Sequence, residues 1–356
     1  MPGVAEMKKH MRLIPDVMAD ANLKKIYSMS FSPFEEKGLI AAGGHQGFVS
    51  VYPGVMPLPT DSGPRGDSKS RNREAVTPLM SFKAHSGWVS SVSLAKSVHG
   101  KRNLLLTASN DALVKVWDLN QSSTLLKSAR ELLRIDNVHR SGIFGMDVNG
   151  DDLLTCSKDA TIALSRFRDG NCSTLEIVHR FLGHEGVVKS IGFSRASPSL
   201  FASGGNDRVL RAFDVRQPER AVLEIRNAHS RAINSVQWHP SNANCVLSAS
   251  FDPELHLFDT RKPSLPLFTF SGHYHDTHQN TIYHPLFVDG GDTIATAGGS
   301  RCQEISLYRT SDGSTVSRGF IGMRIDYVVA DPFQERVLIA SGGQLEFANF
   351  RRESLT

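Results

Sequence analysis

Cysteine is scarce in this chain of 356 residues: there are four, at 156, 172, 245 and 302, and no short spacing between them suggests a zinc knuckle or a disulfide framework. Buried thiols in a reducing compartment, nuclear and/or cytoplasmic, fit that usage. Excess charge is lacking too, with 40 Lys and Arg against 36 Asp and Glu. A net charge of +4 permits acidic partners without arguing for nucleic acid, which stays possible but unsupported. No apolar run approaches the ~18 residues of a membrane helix, and the first ten residues lack the apolar core of a secretory signal, so no membrane partner is expected. The signatures of common catalysts are missing as well. There is no Gly-x-Ser-x-Gly elbow, no Gly-x-x-x-x-Gly-Lys and no Gly-x-Gly-x-x-Gly. No cofactor and no catalytic residue are expected.

What is present is a repeat. Four times a His is followed, about 20 to 26 residues later, by an Asp at a tight turn and then by a short strand. The residues are His85 and Asp111, His139 and Asp159, His184 and Asp207, and His229 and Asp252. Two β-rich runs lie between each His and Asp, as in 232–239 and 245–249, a third follows the Asp, as in 112–117, and a fourth precedes the next His, as in 221–225. Apolar alternation and turn residues at this spacing predict four antiparallel strands per unit. A unit of this length cannot bury its apolar faces alone and must stack on its neighbours. That shifts the expected role from chemistry towards holding other molecules.

The pattern resembles the WD-repeat family of β-propellers, through Gly183-His184, Gly272-His273, Trp117-Asp118, Phe213-Asp214 and Phe258-Asp259 with the Asp turns between them. The resemblance implies an all-β fold, a seven-bladed propeller of four-stranded antiparallel blades. Weaker copies upstream, at 29–52, and downstream, at 283–308 and 327–347, bring the count to seven. The expected organisation is an N-terminal extension, 1–25, whose residues 10–14 could close the ring as the outer strand of the last blade. A propeller follows over 26–350, then a short tail, 351–356. The 53–78 stretch, rich in Pro, Gly, Ser and charge, reads as a disordered insertion between the third and fourth strands of the first blade. Residues 7–14 and 17–23 could instead form a short docking helix.

Within a blade, the family's tetrad of indole, hydroxyl, imidazole and carboxylate passes hydrogen bonds so that none is buried unpaired. Carried over, it is His85, Thr107, Asp111 and Trp117. The partial copies are His139, Thr155 and Asp159, then His184, Ser203 and Asp207, then His229, Ser248 and Asp252. Ser165 replaces the aromatic in the second copy and Phe the Trp in the third and fourth, so those networks should be weaker. A Ser–His–Asp triad is the catalytic alternative, but one active site per blade is implausible. A metal-dependent enzyme built on His273, His275, Asp276, His278 and His284 is another class of reading.

Two motifs point outward. Asp214-Val-Arg216 and Asp259-Thr-Arg261, each behind a Phe, resemble the motif by which WD-repeat substrate receptors dock on the adaptor of cullin-4 ubiquitin ligases. The resemblance assigns adaptor binding to Asp214, Arg216, Asp259 and Arg261; a local ion pair is the alternative. On the opposite rim, Trp88, Arg140, Lys158, Asn206, Arg231 and Phe251 are the expected partner-binding residues. The expected partners are proteins, a ligase adaptor and an unknown client, held by a monomeric propeller inside a larger complex. The rival is a general scaffold in a nuclear or cytoplasmic complex of RNA processing or chromatin.

Overall fold

The computed structural model describes residues 9–32, 38–54, 76–96, 103–119, 129–169, 172–273, 282–297, 303–321, 324–332 and 336–352. They form seven four-stranded antiparallel sheets, each built from strands adjacent in sequence except the last. Blade 1 comprises Ile26–Phe31, Leu39–Gly44, Phe48–Pro53 and Met80–Lys83. Blade 2 comprises Val89–Lys96, Asn103–Ser109, Val114–Asp118 and Arg130–Ile135, and blade 3 Ile143–Asn149, Asp152–Ser157, Ile162–Phe167 and Leu175–Phe181. Blade 4 runs through Val188–Phe193, Leu200–Gly205, Leu210–Asp214 and Leu223–Ile225, and blade 5 through Ile233–Trp238, Cys245–Ser250, Leu255–Asp259 and Phe268–Phe270. Blade 6 comprises Leu286–Val288, Thr293–Thr296, Glu304–Arg309 and Thr315–Phe320. Tyr327–Ala330, Arg336–Ser341 and Gln344–Arg352 make blade 7, and its outer strand is Lys9–Ala19 from the other end of the chain.

The sequence pattern of each strand follows its place in the blade. Middle strands lie between two neighbouring blades and are buried on both faces, so they read as unbroken runs such as Leu104–Ser109 and Val114–Asp118. Outer strands touch a neighbour on one face only, and Leu175–Phe181 alternates accordingly. The apolar core is divided among the interfaces between blades. Leu104, Val114, Ile143 and Leu153 join blades 2 and 3, for example, and Met18, Ile26, Tyr52, Leu338 and Phe347 seal blade 7 to blade 1.

The closing strand pairs from Lys9 opposite Arg352 to Ala19 opposite Gln344, with a break in register between Leu13 and Val17. Pro15 falls in that break and cannot donate to a ladder, so an irregular edge accommodates it. Lys9–Ala19 is strand and turn residues follow it, so no docking helix forms there. Of the 53–78 insertion, residues 55–75 lie outside the described residues.

Candidate functional site: sealed relays and two open rims

Blade 2 holds a complete hydrogen-bond relay. Trp117 Nε1 donates to Thr107 Oγ1 at 3.0 Å, Thr107 Oγ1 lies 2.8 Å from His85 Nε2, and His85 Nδ1 is 3.1 Å from both Asp111 carboxylate oxygens. The carboxylate also accepts the Ser86 and Leu113 amides, which fixes the turn. Burial raises the Asp111 carboxyl, but His85 and these amides outweigh it and hold the acid well below its ordinary range.

The other blades vary the theme. In blade 3, His139 Nε2 meets Thr155 Oγ1 at 2.8 Å while Nδ1 is shared between Thr161 Oγ1 at 3.0 Å and Asp159 at 3.3 Å. Ser165, in the indole's place, buries its hydroxyl without a partner among the described residues. In blade 4, His184 bridges Ser203 at 2.8 Å and Asp207 at 2.9 Å, and the buried Arg211 guanidinium reaches the same Asp207 oxygen at 2.7 Å. In blade 5, His229 bridges Ser248 at 2.9 Å and Asp252 at 3.1 Å, with His256 lying flat on its ring at 4.2 Å. Burial pushes His139 and His229 downward, partly offset by their Asp partners. Blade 6 uses a phenol: Tyr308 OH donates to the Ser271 carbonyl at 3.1 Å and lies 3.0 Å from His273 Nδ1. Blade 1 lacks the turn Asp and draws a carboxylate from Asp20, which accepts Ser50 Oγ at 2.5 Å.

These trios have the connectivity of a catalytic triad and none of its accessibility. Thr107, Thr155, Ser203 and Ser248 are each 0 % exposed, so no substrate atom can approach the hydroxyl. The relays satisfy buried polar groups. As for the metal reading, His275, Asp276 and His278 lie outside the described residues. His284 faces the central channel, its ring 4.5 Å from that of Tyr327, and burial pushes it down to about 4.

The top rim is assembled by one device repeated in five blades. The backbone N–H of the turn residue between the second and third strands bonds the carbonyl just before the first strand: His45 to Lys25, Asn110 to Trp88, Lys158 to Gly142, Asn206 to Val187, Phe251 to Ala232. The first strand then breaks register at its second residue, which is Tyr27, Ser90, Phe144, Lys189 or Asn234. A bulge of this kind re-aims the side chain, and Tyr27, Ser90, Phe144, Lys189 and Asn234 all line the central channel, a cavity of about 470 Å³. Of the expected rim residues, Trp88 packs between Tyr27 and Phe144, at 5.0 and 5.4 Å between ring centroids. Phe251 lies under the Lys189 ammonium at 4.3 Å. Arg140, Lys158 and Arg231 are exposed on the same loops. Sequence reasoning passed over Tyr27, Phe144 and Lys189, although each directly follows the Ile or Val that opens its strand.

On the opposite face, two turns repeat one geometry. Arg216 Nε and Nη2 grip the Asp214 carboxylate at 2.9 and 2.6 Å, and Arg261 grips Asp259 at the same two distances. Each Asp also accepts the Arg backbone N–H. The guanidinium hydrogen bonds and that amide hold Asp259 down to about 2 and depress Asp214 in the same direction. The Arg side chains remain 71 and 67 % exposed. A groove lined by Arg261, Lys262, Leu265 and Leu267 adjoins the second fork.

Comparison with known proteins places these features in a class. The WD40 description "WD domain, G-beta repeat" matches residues 76–118, 175–214 and 221–259, each match starting near the outer strand of one blade and ending on the third strand of the next. The chain carries WD40 repeats folded as a seven-bladed β-propeller, an architecture that generally serves as a non-catalytic scaffold. Similar proteins include Protein SOF1 of Saccharomyces cerevisiae, 24 % identical over 82 % of this chain and 60 % of the relative. The ribosome biogenesis protein WDR12 homolog of Drosophila simulans is 26 % identical over 66 % of this chain and 51 % of its own length. Histone acetyltransferase type B subunit 2 of Debaryomyces hansenii is 29 % identical over 41 % of this chain and 36 % of its own. The chain thus spans between 36 and 60 % of the length of these three relatives.

Proposed function

We propose that this propeller is a scaffold subunit of a nuclear assembly that processes RNA or chromatin. One observation carries the reading: the relay histidines, with their hydroxyl and carboxylate partners, are locked inside the blades, whereas charged and aromatic side chains crowd the exposed rims. Relatives named for ribosome biogenesis and for a histone acetyltransferase subunit support an assembly of that kind. The test is sedimentation of tagged full-length protein from nuclear extract. Co-migration with particles far larger than the chain is expected, and a profile of free monomer in every fraction would refute it.

A second reading rests on the twin forks. Arg216 and Arg261, each aimed by a buried or half-buried Asp in consecutive blades, form a repeated cationic feature suited to charge-assisted bonds with a ligase adaptor. Affinity capture of the cullin-4 adaptor by wild type, lost in the Arg216→Ala/Arg261→Ala double variant, is the expected result. Wild type that never recovers the adaptor would eliminate this reading and leave the first intact.

A further inference from the structure

We propose that the top mouth of the channel binds single-stranded RNA, with bases against an arc of aromatic rings and phosphates against the lysines beside it. The rings of Tyr27, Trp88 and Phe144 come from three successive blades and follow one another at 5.0 and 5.4 Å between centroids. All three are partly exposed. Cations border the arc: Lys25 sits 5.1 Å from the Tyr27 ring centroid, Lys158 stands on the turn bonded to Gly142, and Lys189 lies over Phe251. The carboxylates of this face are largely committed elsewhere. Asp111, Asp159, Asp207 and Asp252 are tied to their histidines, and Asp326 accepts Arg324 and the Gly342 amide. Glu185 on blade 4 and Asp136 on the approach to blade 3 are exposed exceptions. Among the exposed residues of this rim, the cations Lys25, Arg140, Lys158 and Arg231 outnumber the carboxylates Asp136 and Glu185.

Rings in a row with cations beside them offer contacts to both the bases and the phosphates of a single strand. A duplex hides its base faces and cannot use the rings. An acidic peptide would satisfy the lysines but offer little to three aromatic faces.

The experiment is fluorescence anisotropy of full-length protein with a labelled oligouridylate, the corresponding RNA duplex and a polyglutamate of matched charge, at low and physiological salt. Saturable binding of the single strand in preference to both controls, weakening as salt rises, is expected. Trp88→Leu should weaken it on the order of 10-fold, from the loss of one stacking face. Because Trp88 is partly buried, the exposed pair Arg140→Glu/Lys158→Glu provides a second arm, with unchanged circular dichroism and a loss also on the order of 10-fold. The proposal is overturned if the single strand does not bind, if the duplex binds as tightly, or if both variants bind like wild type. Tighter binding of polyglutamate with the same sensitivity to the variants would make the rim an acidic-peptide surface and overturn it as well.

Discussion

Trp117 Nε1 donates to Thr107 Oγ1 at 3.0 Å, and that bond makes blade 2 the one blade among the described residues where an indole completes the relay. Blade 3 places Ser165 in the indole's position with its hydroxyl unpaired. Three small changes test the two relays. Trp117→Phe removes one buried bond and should cost about 1 kcal/mol, whereas Thr107→Val strands both the His85 nitrogen and the indole and should cost about 1–3 kcal/mol for each group left unpaired. Ser165→Ala deletes a hydroxyl that gains nothing from burial, so stability should hold or rise. Urea unfolding midpoints with unchanged m-values would check all three.

The relays also set the response to acid. His139 and His229 sit below their ordinary value of 6.5 because the fold favours the neutral ring. The unfolded chain takes up those protons first as pH falls, so their contribution is complete above about 6.5 and declines below it. Asp111, Asp159, Asp207 and Asp252 sit below their ordinary value of 3.8. Their contribution is present above about 3.8 and is lost as pH falls towards the folded-state values. Thermal midpoints should therefore fall in two stages between neutral pH and pH about 3. A midpoint that rises on acidification would contradict the assignment.

How far the sequence disclosed this follows from distance along the chain. His85, Thr107 and Asp111 lie within one blade, so their spacing was readable, as was the alternation of inner and outer strands. Blade 1 obscured its own logic because Asp20, which accepts Ser50, precedes the first strand instead of following the second. Arg211 went unnoticed because a cation among buried residues reads as an exception until Asp207 and Glu224 are placed beside it. The rim was least legible. Tyr27, Trp88 and Phe144 are about sixty residues apart in sequence, and only the stacking of blades 1, 2 and 3 sets them side by side, so no window along the chain could show the arc of rings.

The forks on the bottom face should separate recognition from folding. Replacing Arg216 and Arg261 together by Ala leaves the turn bonds from the Asp carboxylates to the backbone, so the melting temperature should stay within error of wild type. Asp214→Ala removes both the backbone acceptor and the guanidinium's anchor, and should cost about 1 kcal/mol. Calorimetry on the three proteins would distinguish a surface cation from a turn-setting carboxylate. A large loss in the Arg variant would show that the forks serve the fold.

Turns facing the rim offer the sharpest test of backbone geometry. Ala112, Ala160 and Arg208, each directly after the turn Asp, adopt φ of 67, 66 and 64°, a left-handed conformation disfavoured for residues with a Cβ. In blade 1 the comparable turn uses Gly47 at φ 82°, where an added Cβ would collide with the His85 carbonyl. Ala112→Gly should relieve about 1 kcal/mol of strain, offset in part by the freer unfolded chain, so the net change should be small and not destabilising. Gly47→Ala meets both strain and a backbone clash between blades 1 and 2, and should cost clearly more than the ~1 kcal/mol of strain alone. Unfolding curves of the two single variants decide the point. Equal costs would mean that the close approach of Gly47 to His85 carries no energetic consequence.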